Sequence, residues 1–327
     1  MKLATLNNGT RDGRLLIVSR DLSKAVYAST VVDTMIEALE NWESVEEPLR
    51  NRYEHLNAGN LKDAFAFDPA RVMSPLPRCY QFVDASAFLN HGDIMEKAFD
   101  LDVKKDKGIP ILVQRQSDDF LGPRDDYPFP DEEDNCDFEG EFAVILDDVP
   151  MGVSPEDAEK HIKLITIMND VSMRTHLFRE LSMGFGFINA KPATVFAPVA
   201  VTLDELGDAW RHGRIHLDMR VKRNDEWFGN PNGGEMDFSF GQIISHLGYN
   251  RNLRAGAIVG SGTVSNQNCK EVGSACLAER RALDKIEYGE FRTDFIKFGE
   301  TLEFDVLDSG GQSVFGAIKH RFVDSHK

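Results

Sequence analysis

Phe138-Glu139-Gly140-Glu141-Phe142-Ala143-Val144-Ile145-Leu146 is the stretch on which the reading of this chain turns. Its apolar run has the composition of a buried strand, and successive side chains of a strand alternate between faces. Glu139 and Glu141, two residues apart, therefore point to one face. Two carboxylates within ~7 Å on one face repel each other and raise each other's pKa unless a cation lies between them. Hard oxygen donors of this kind suit Mg²⁺, Ca²⁺ or Mn²⁺ rather than zinc. A half-exposed strand with both acids in water satisfies the same pattern, so the pair alone leaves both readings open.

Two further carboxylates are candidates. Asp170 ends the apolar run of Ile167-Met168-Asn169-Asp170-Val171-Ser172. It reads as a third ligand, as a cap or turn aspartate, or, on a helix, as the ion-pair partner of Arg174 four residues on. Upstream, Asp84 and His91 stand seven residues apart. On a helix that spacing is about two turns along one face, which would place an acid ligand beside an imidazole base.

Working outward, the first 30 residues read as a short β-meander, with Leu15, Ile17 and Ser19 on one strand face and Ala25 to Ala28 as a second run. Val32 to Trp42 and Glu43 to Leu56 have helical character, and Asn57 to Pro77 reads as a linker. The spacing predicts a small N-terminal domain over 1–75 and a larger domain over 76–327. In the latter, Ile215 to Val221 alternates up to Asn224-Asp225 and returns at Trp227-Phe228, a hairpin signature. A second hairpin is expected from Leu302 to Val306 and from Val314 onward, and helical spacing covers Glu156 to Met168 and Phe238 to Leu247. The expected class is α+β, mainly β with some helices.

The chain has 327 residues, 37 basic and 54 acidic, for a net charge of −17. Such a body repels nucleic-acid phosphates and anionic lipid, and no basic stripe offsets this, which argues against nucleic-acid or membrane partners. Residues 1–75 are nearly balanced, whereas the segment from Ser117 to Asp137 is dense in acids and reads as a solvated loop. Cys79, Cys136, Cys269 and Cys276 form no C-x-x-C pair, so neither zinc nor a disulfide framework is indicated. The start lacks an apolar signal core, and no run approaches ~18 apolar residues. The expectation is a soluble, cytoplasmic protein with reduced thiols.

Taken in order, these motifs resemble the fumarylacetoacetate hydrolase family, in its two-domain bacterial form. The resemblance is carried by Asp84…His91, the loop from Pro110 to Pro123, Glu139-Gly140-Glu141, Asn169-Asp170-Val171-Ser172-Met173-Arg174, Lys191 before Thr194 and Pro198, and Gly262-Thr263. It implies a distorted β-barrel or β-roll, a homodimer, and one divalent cation held by Asp84, Glu139, Glu141 and Asp170. The implied reaction is hydrolysis of a carbon–carbon bond in a 1,3-diketo acid, foremost fumarylacetoacetate to fumarate and acetoacetate in tyrosine or aromatic catabolism. His91 would be the general base for water, with Glu279 as its orienting partner and Glu271 as the fallback. Arg174, Lys191 and Thr263 would contact the substrate. The alternative use of the same site is decarboxylation of oxaloacetate, or hydration or isomerisation of a 2-oxo-enoic acid. A cation-dependent binding module would need the acids but not His91, Lys191 or Arg174. The sequence departs from the family at Ser86, where a Tyr is expected, at Asp100, where an Arg is expected, and around Val113-Gln114, where a Tyr is expected. Arg115 or Arg124 would then have to hold the substrate carboxylates.

Overall fold

The computed structural model describes residues 1–100 and 108–327. β1 (Lys2–Leu6), β2 (Arg14–Val18) and β3 (Lys24–Tyr27) form the expected meander. Its inner face (Leu15, Ile17, Val26) is covered by α1 (Met35–Glu40) and α2 (Trp42–Asn57) through Leu39, Trp42, Val45, Leu49 and Tyr53. Thr34 and Glu37 start α1 with a reciprocal capping box. The segment read as a linker is more ordered than that. β4 (Phe65–Ala66) pairs with β3, Val72 bridges Leu6, and Met73 N–H donates to Thr5.

The chain continues through β5 (Phe82–Ala85), α3 (Leu89–Phe99), β6 (Leu112–Arg115), β7 (Tyr127–Phe129), β8 (Cys136–Asp137) and β9 (Gly140–Leu146). Next come α4 (Pro155–Ala158), β10 (Ile162–Asn169), β11 (Ser172–Met173), α5 (Arg174–Met183), β12 (Val195–Phe196) and β13 (Ala200–Val201). The last part holds β14 (Trp210–Arg211), β15 (Arg214–Ile215), β16 (Arg220–Arg223), β17 (Glu226–Gly229) and α6 (Phe240–Leu247). It ends with β18 (Ile258–Gly260), α7 (Cys269–Val272), α8 (Leu277–Tyr288), β19 (Thr301–Asp305) and β20 (Ile318–Asp324).

One large mixed sheet runs β4-β3-β2-β1-β13-β10-β9-β18-β5-β6, with β12 also on β10, so the N-terminal meander and the later strands share a sheet. A second sheet runs β17-β16-β19-β20-β7. The mainly β, α+β class is as expected, but the barrel is not closed: β4 and β6 remain unpaired edges of an open sheet among the described residues. The hairpin at Asn224-Asp225 forms as read, both residues having positive φ.

Two local expectations are corrected. Ile162 to Met168, read as helical, is strand β10 between β9 and β13. Ile162, Leu164, Ile165, Ile167 and Met168 are all buried, because a central strand covered on both faces shows no alternation. Asp84 lies on β5 rather than on a helix with His91, which stands in the first turn of α3. β5 runs parallel to β18 and β18 antiparallel to β9, bringing Asp84, Gly260 and the glutamate strand side by side. No helix among the described residues is long and apolar enough to cross a membrane.

Candidate active site and metal centre

Adjacent strand ends build the site. Asp84 on β5, Glu141 on β9 and Asp170 just beyond β10 each offer a carboxylate oxygen, and the three oxygens lie within 4.8 Å of one another. All three residues are buried. Gly260, on β18 between β5 and β9, makes this approach possible: a β-carbon there would collide with Asp84 Oδ1 and Met168 and press on Glu141 Oε2 at 3.2 Å. Gly262 has positive φ, and its N–H donates to both Asp84 Oδ1 (3.1 Å) and Glu141 Oε2 (3.0 Å).

The buried charges divide into two groups. Asp170 is gripped by Arg115, whose Nε donates at 3.0 Å, and by Lys191 Nζ at 2.7 Å. Glu139 is held by Lys191 through one oxygen and by Arg174 Nη2, at 2.5 Å, through the other. Burial opposes the ionised form of both acids. The neighbouring cations outweigh it, Arg115 and Lys191 for Asp170 and Lys191 and Arg174 for Glu139, and both carboxyls lie below their usual range.

Asp84 and Glu141 have no such cations against them. Burial and then repulsion from Asp170 push Asp84 up to about 6; burial and then Asp84 push Glu141 well above the carboxylate range. Glu141 Oε1 is buried with no hydrogen-bond partner among the described residues. A buried carboxylate oxygen without a donor is costly. The acids that lack a cation are thus those whose oxygens converge with Asp170, and an all-oxygen donor set of this kind fits a hard divalent ion.

Beside this cluster stands the second functional pair. His91 Nδ1 is 3.0 Å from Glu279 Oε2. Glu279 is fully buried at the third position of α8, while the imidazole keeps some exposure. Residues from α3 and α8, among them Ile94, Ala98 and Ala282, pack into one small cluster that holds the two helices together. The imidazole lies close enough to Glu139 for that carboxylate to interact with the imidazolium. Glu279 is therefore the partner of His91. Glu271, on α7, is partnered by Asn268 instead. Thr263 is buried one residue beyond the bridging Gly262 amide.

Several sequence readings are relocated. Arg174 does not pair with Asp170 along a helix, because α5 begins only at Arg174; its guanidinium reaches Asp137 and Glu139. Arg115 is committed to Asp170 and to the Lys191 carbonyl (2.9 Å), and Arg124 donates to the Ala317 carbonyl (2.7 Å). Neither is placed as a spare grip for substrate carboxylates. Asp137, counted with the solvated acidic run, is wholly buried and belongs to the site. Other members of that run are also engaged: Asp134 with His176, and Glu132 with Phe298 N–H and Lys297.

Residues 81–323 match the profile of the fumarylacetoacetate (FAA) hydrolase C-terminal domain, and residues 1–78 match fumarylacetoacetase N-terminal domain 2. The chain belongs to the fumarylacetoacetate hydrolase family. Within this family it is similar to a 2,4-didehydro-3-deoxy-L-rhamnonate hydrolase of a Sphingomonas species, 27% identical over 47% of this chain and 52% of that protein. It also resembles an oxaloacetate tautomerase of Bacillus subtilis, 30% identical over 39% of this chain and 41% of that protein. The chain thus spans about half the length of the curated relatives it matches. Its fold matches that of a maleylpyruvate hydrolase from a Sphingobium species in complex with manganese(II) and pyruvate, with TM-score 0.66, 17% identity and 99% of both chains covered. The relatives matched in sequence thus bear the names of a hydrolase and a tautomerase, and a structure of the same fold was solved with manganese(II).

Proposed function

We propose that this protein is a divalent-metal-dependent enzyme that cleaves a carbon–carbon bond of an anionic 1,3-diketo acid by hydrolysis. Fumarylacetoacetate, giving fumarate and acetoacetate, is the first candidate within that class. The observation that carries the reading is the His91–Glu279 pair, a base oriented by a buried carboxylate beside three converging acids. Asp84, Glu141 and Asp170 would hold the cation. Glu139 can join them only while also neutralised by Lys191 and Arg174, since each of its oxygens already accepts from one of these. Bound there, Mg²⁺, Mn²⁺ or Ca²⁺ would supply Lewis acidity to the chelating oxygens of the substrate.

The protein's own groups do the rest. With Nδ1 3.0 Å from the Glu279 carboxyl, the tautomer this reading uses carries its proton on Nδ1, leaving Nε2 to accept a proton from water. Glu279, hydrogen-bonded to Nδ1, would fix the orientation of the ring and stabilise the imidazolium. As the water oxygen bonds to the carbonyl carbon and the carbon–carbon bond breaks, the electron pair passes to a departing enolate. The proton on His91 is then available to that carbon. Lys191 and Arg174 place positive charge where the enolate oxygen or a substrate carboxylate develops, in a buried setting where such charge acts strongly. Arg115, Arg174, Lys191 and a divalent ion would together offset the buried acids Asp84, Asp137, Glu139, Glu141 and Asp170, so the site would not share the strong negative charge of the −17 body.

The test is turnover: with Mn²⁺ or Mg²⁺ the protein should bleach the ultraviolet absorbance of fumarylacetoacetate or a simpler acylpyruvate. A second reading is oxaloacetate chemistry, with His91 shuttling a proton between carbon and oxygen. It is favoured by the commitment of Arg115 and Arg124 elsewhere, which leaves little to grip a long substrate tail. Inactivity on every diketo acid, together with conversion of oxaloacetate, would transfer the assignment to it. We propose further that the protein is cytoplasmic and a homodimer. The dimer is supported by Phe178, Leu181, Met183, Phe185 and Ile188, which stand exposed on the arm between Arg174 and Lys191, Phe185 at 99%. Light scattering should give twice the chain mass, and Phe185→Ser should weaken the association.

A further inference from the structure

Asp137 is a fully buried acid that neither the base nor the cation site uses. It lies at the end of β8, whose pairing with β11 sets Asp137 opposite Ser172, two residues before Arg174. On its other side, Glu139 bridges Cys276, the residue that caps α8. Three segments therefore meet at one carboxylate. Oδ1 accepts the N–H of Leu277 at 2.7 Å, and Oδ2 accepts the N–H of Ala278 at 2.9 Å. These are the first two residues of α8; the third is Glu279. Oδ2 also accepts Arg174 Nε at 2.8 Å, with Nη2 at 2.7 Å.

A carboxylate that only capped a helix would have no need of the guanidinium. One that only neutralised Arg174 would have no need of two helix amides. Here the same Oδ2 serves both, so a displacement of either partner is felt by the other. We propose that Asp137 is a positioning residue that holds Glu279 against His91 and Arg174 against Glu139 in one rigid frame. The base pair and the substrate-side cation are then registered to each other through a group that touches neither substrate nor imidazole. The roles of His91 and Arg174 rest on the function proposed above; the coupling through Asp137 does not.

The test uses the His91 Nδ1–H proton resonance, identified by its loss in His91→Gln, alongside steady-state kinetics on a diketo acid. Asp137→Asn replaces an acceptor with an amide that must turn a donor toward N–H groups. It should shift or broaden that resonance and lower kcat about 10- to 100-fold. Thr34→Ala, which removes the cap of α1 far from the site, is the control for general destabilisation; it should leave resonance and kcat in place. Should Asp137→Asn fail to fold, Arg174→Gln carries the test. Because Arg174 also holds Glu139, near the imidazole, Lys191→Gln, which takes the other cation from Glu139 and leaves Asp137 untouched, is the comparison: Arg174→Gln should move the His91 resonance further than Lys191→Gln does. A resonance unchanged in Asp137→Asn, or moved no further by Arg174→Gln than by Lys191→Gln, would overturn the proposal. A resonance that responds in a protein inactive on all diketo acids would overturn the function while leaving the coupling intact.

Discussion

Replacing Asp84 by Asn is the sharpest probe of the carboxylate cluster. Asp84 and Glu141 are the two acids without cations of their own; Asp84, pushed up to about 6, and Glu141, pushed well above the carboxylate range, both hold a proton more firmly than free carboxyls when no metal is present. A divalent ion must displace that proton to bind, so affinity rises with pH. Asp84 sets the least size of the effect, to which Glu141 adds. With its carboxyl pushed up to about 6, the fraction already ionised falls from nearly all to about a tenth between pH ~7.5 and pH ~5. Mn²⁺ affinity should therefore weaken at least about tenfold over that interval, or about 1.4 kcal/mol, with more protons released at the lower pH. Asp84→Asn should flatten this dependence and weaken binding by at least about 100-fold at neutral pH, more than changing an outer partner of a metal ligand usually costs. Isothermal titration in two buffers of different ionisation heat reads both affinity and proton count. Equal affinity at the two pH values with no proton released, or tight binding by Asp84→Asn, would refute the reasoning.

Three other outcomes are expected. Gly260→Ala should drive Asp84 and Glu141 apart and destabilise the fold by about 1–3 kcal/mol, read by urea unfolding, with a parallel loss of Mn²⁺ binding. His320 is buried against Asn169 (3.1 Å), and burial pushes its pKa from 6.5 down to about 3. The unfolded chain thus takes up this proton first, so its contribution is full above pH ~6.5 and is lost as the pH falls toward ~3. Stability should drop by about 2–3 kcal/mol on this account at pH ~4.5, and His320→Gln should unfold with a shallower pH dependence. Glu180 accepts the N–H groups of Ile188 (2.8 Å), Asn189 (2.9 Å) and Ala190 (3.1 Å), fixing the backbone that leads into Lys191. Glu180→Gln should speed hydrogen exchange at those amides and lower kcat without abolishing metal binding.

What the sequence made legible follows from where periodicity and chemistry agree. Glu139 and Glu141 could be placed on one strand face because alternation is strict, while the choice between a buried face and one in water fell to the structure, which buries both. Asp84 and Asp170 were found, but their local setting was misjudged. β10 lies between two other strands, so its run of buried residues has no period, and the seven-residue Asp84–His91 spacing spans a strand and a helix rather than two helical turns. Arg115 was given the wrong role, and Asp137 escaped, for a different reason. Their meaning lies in partners 55 and 140 positions away, Asp170 and Leu277, and composition classed Asp137 with its exposed acidic neighbours. Gly260 carries no chemistry of its own and becomes significant only once β18 is seen between β5 and β9.

The central claim is that His91, held by Glu279, delivers water to a diketo acid bound at the cluster of Asp84, Glu141 and Asp170. Cleavage of an acylpyruvate by the Mn²⁺-loaded protein in oxygen-labelled water tests it directly. The account predicts one labelled oxygen in the newly formed carboxylate, and loss of the reaction in His91→Gln with Mn²⁺ binding retained. Absence of cleavage by the wild-type protein, or an undiminished rate in His91→Gln, would contradict it.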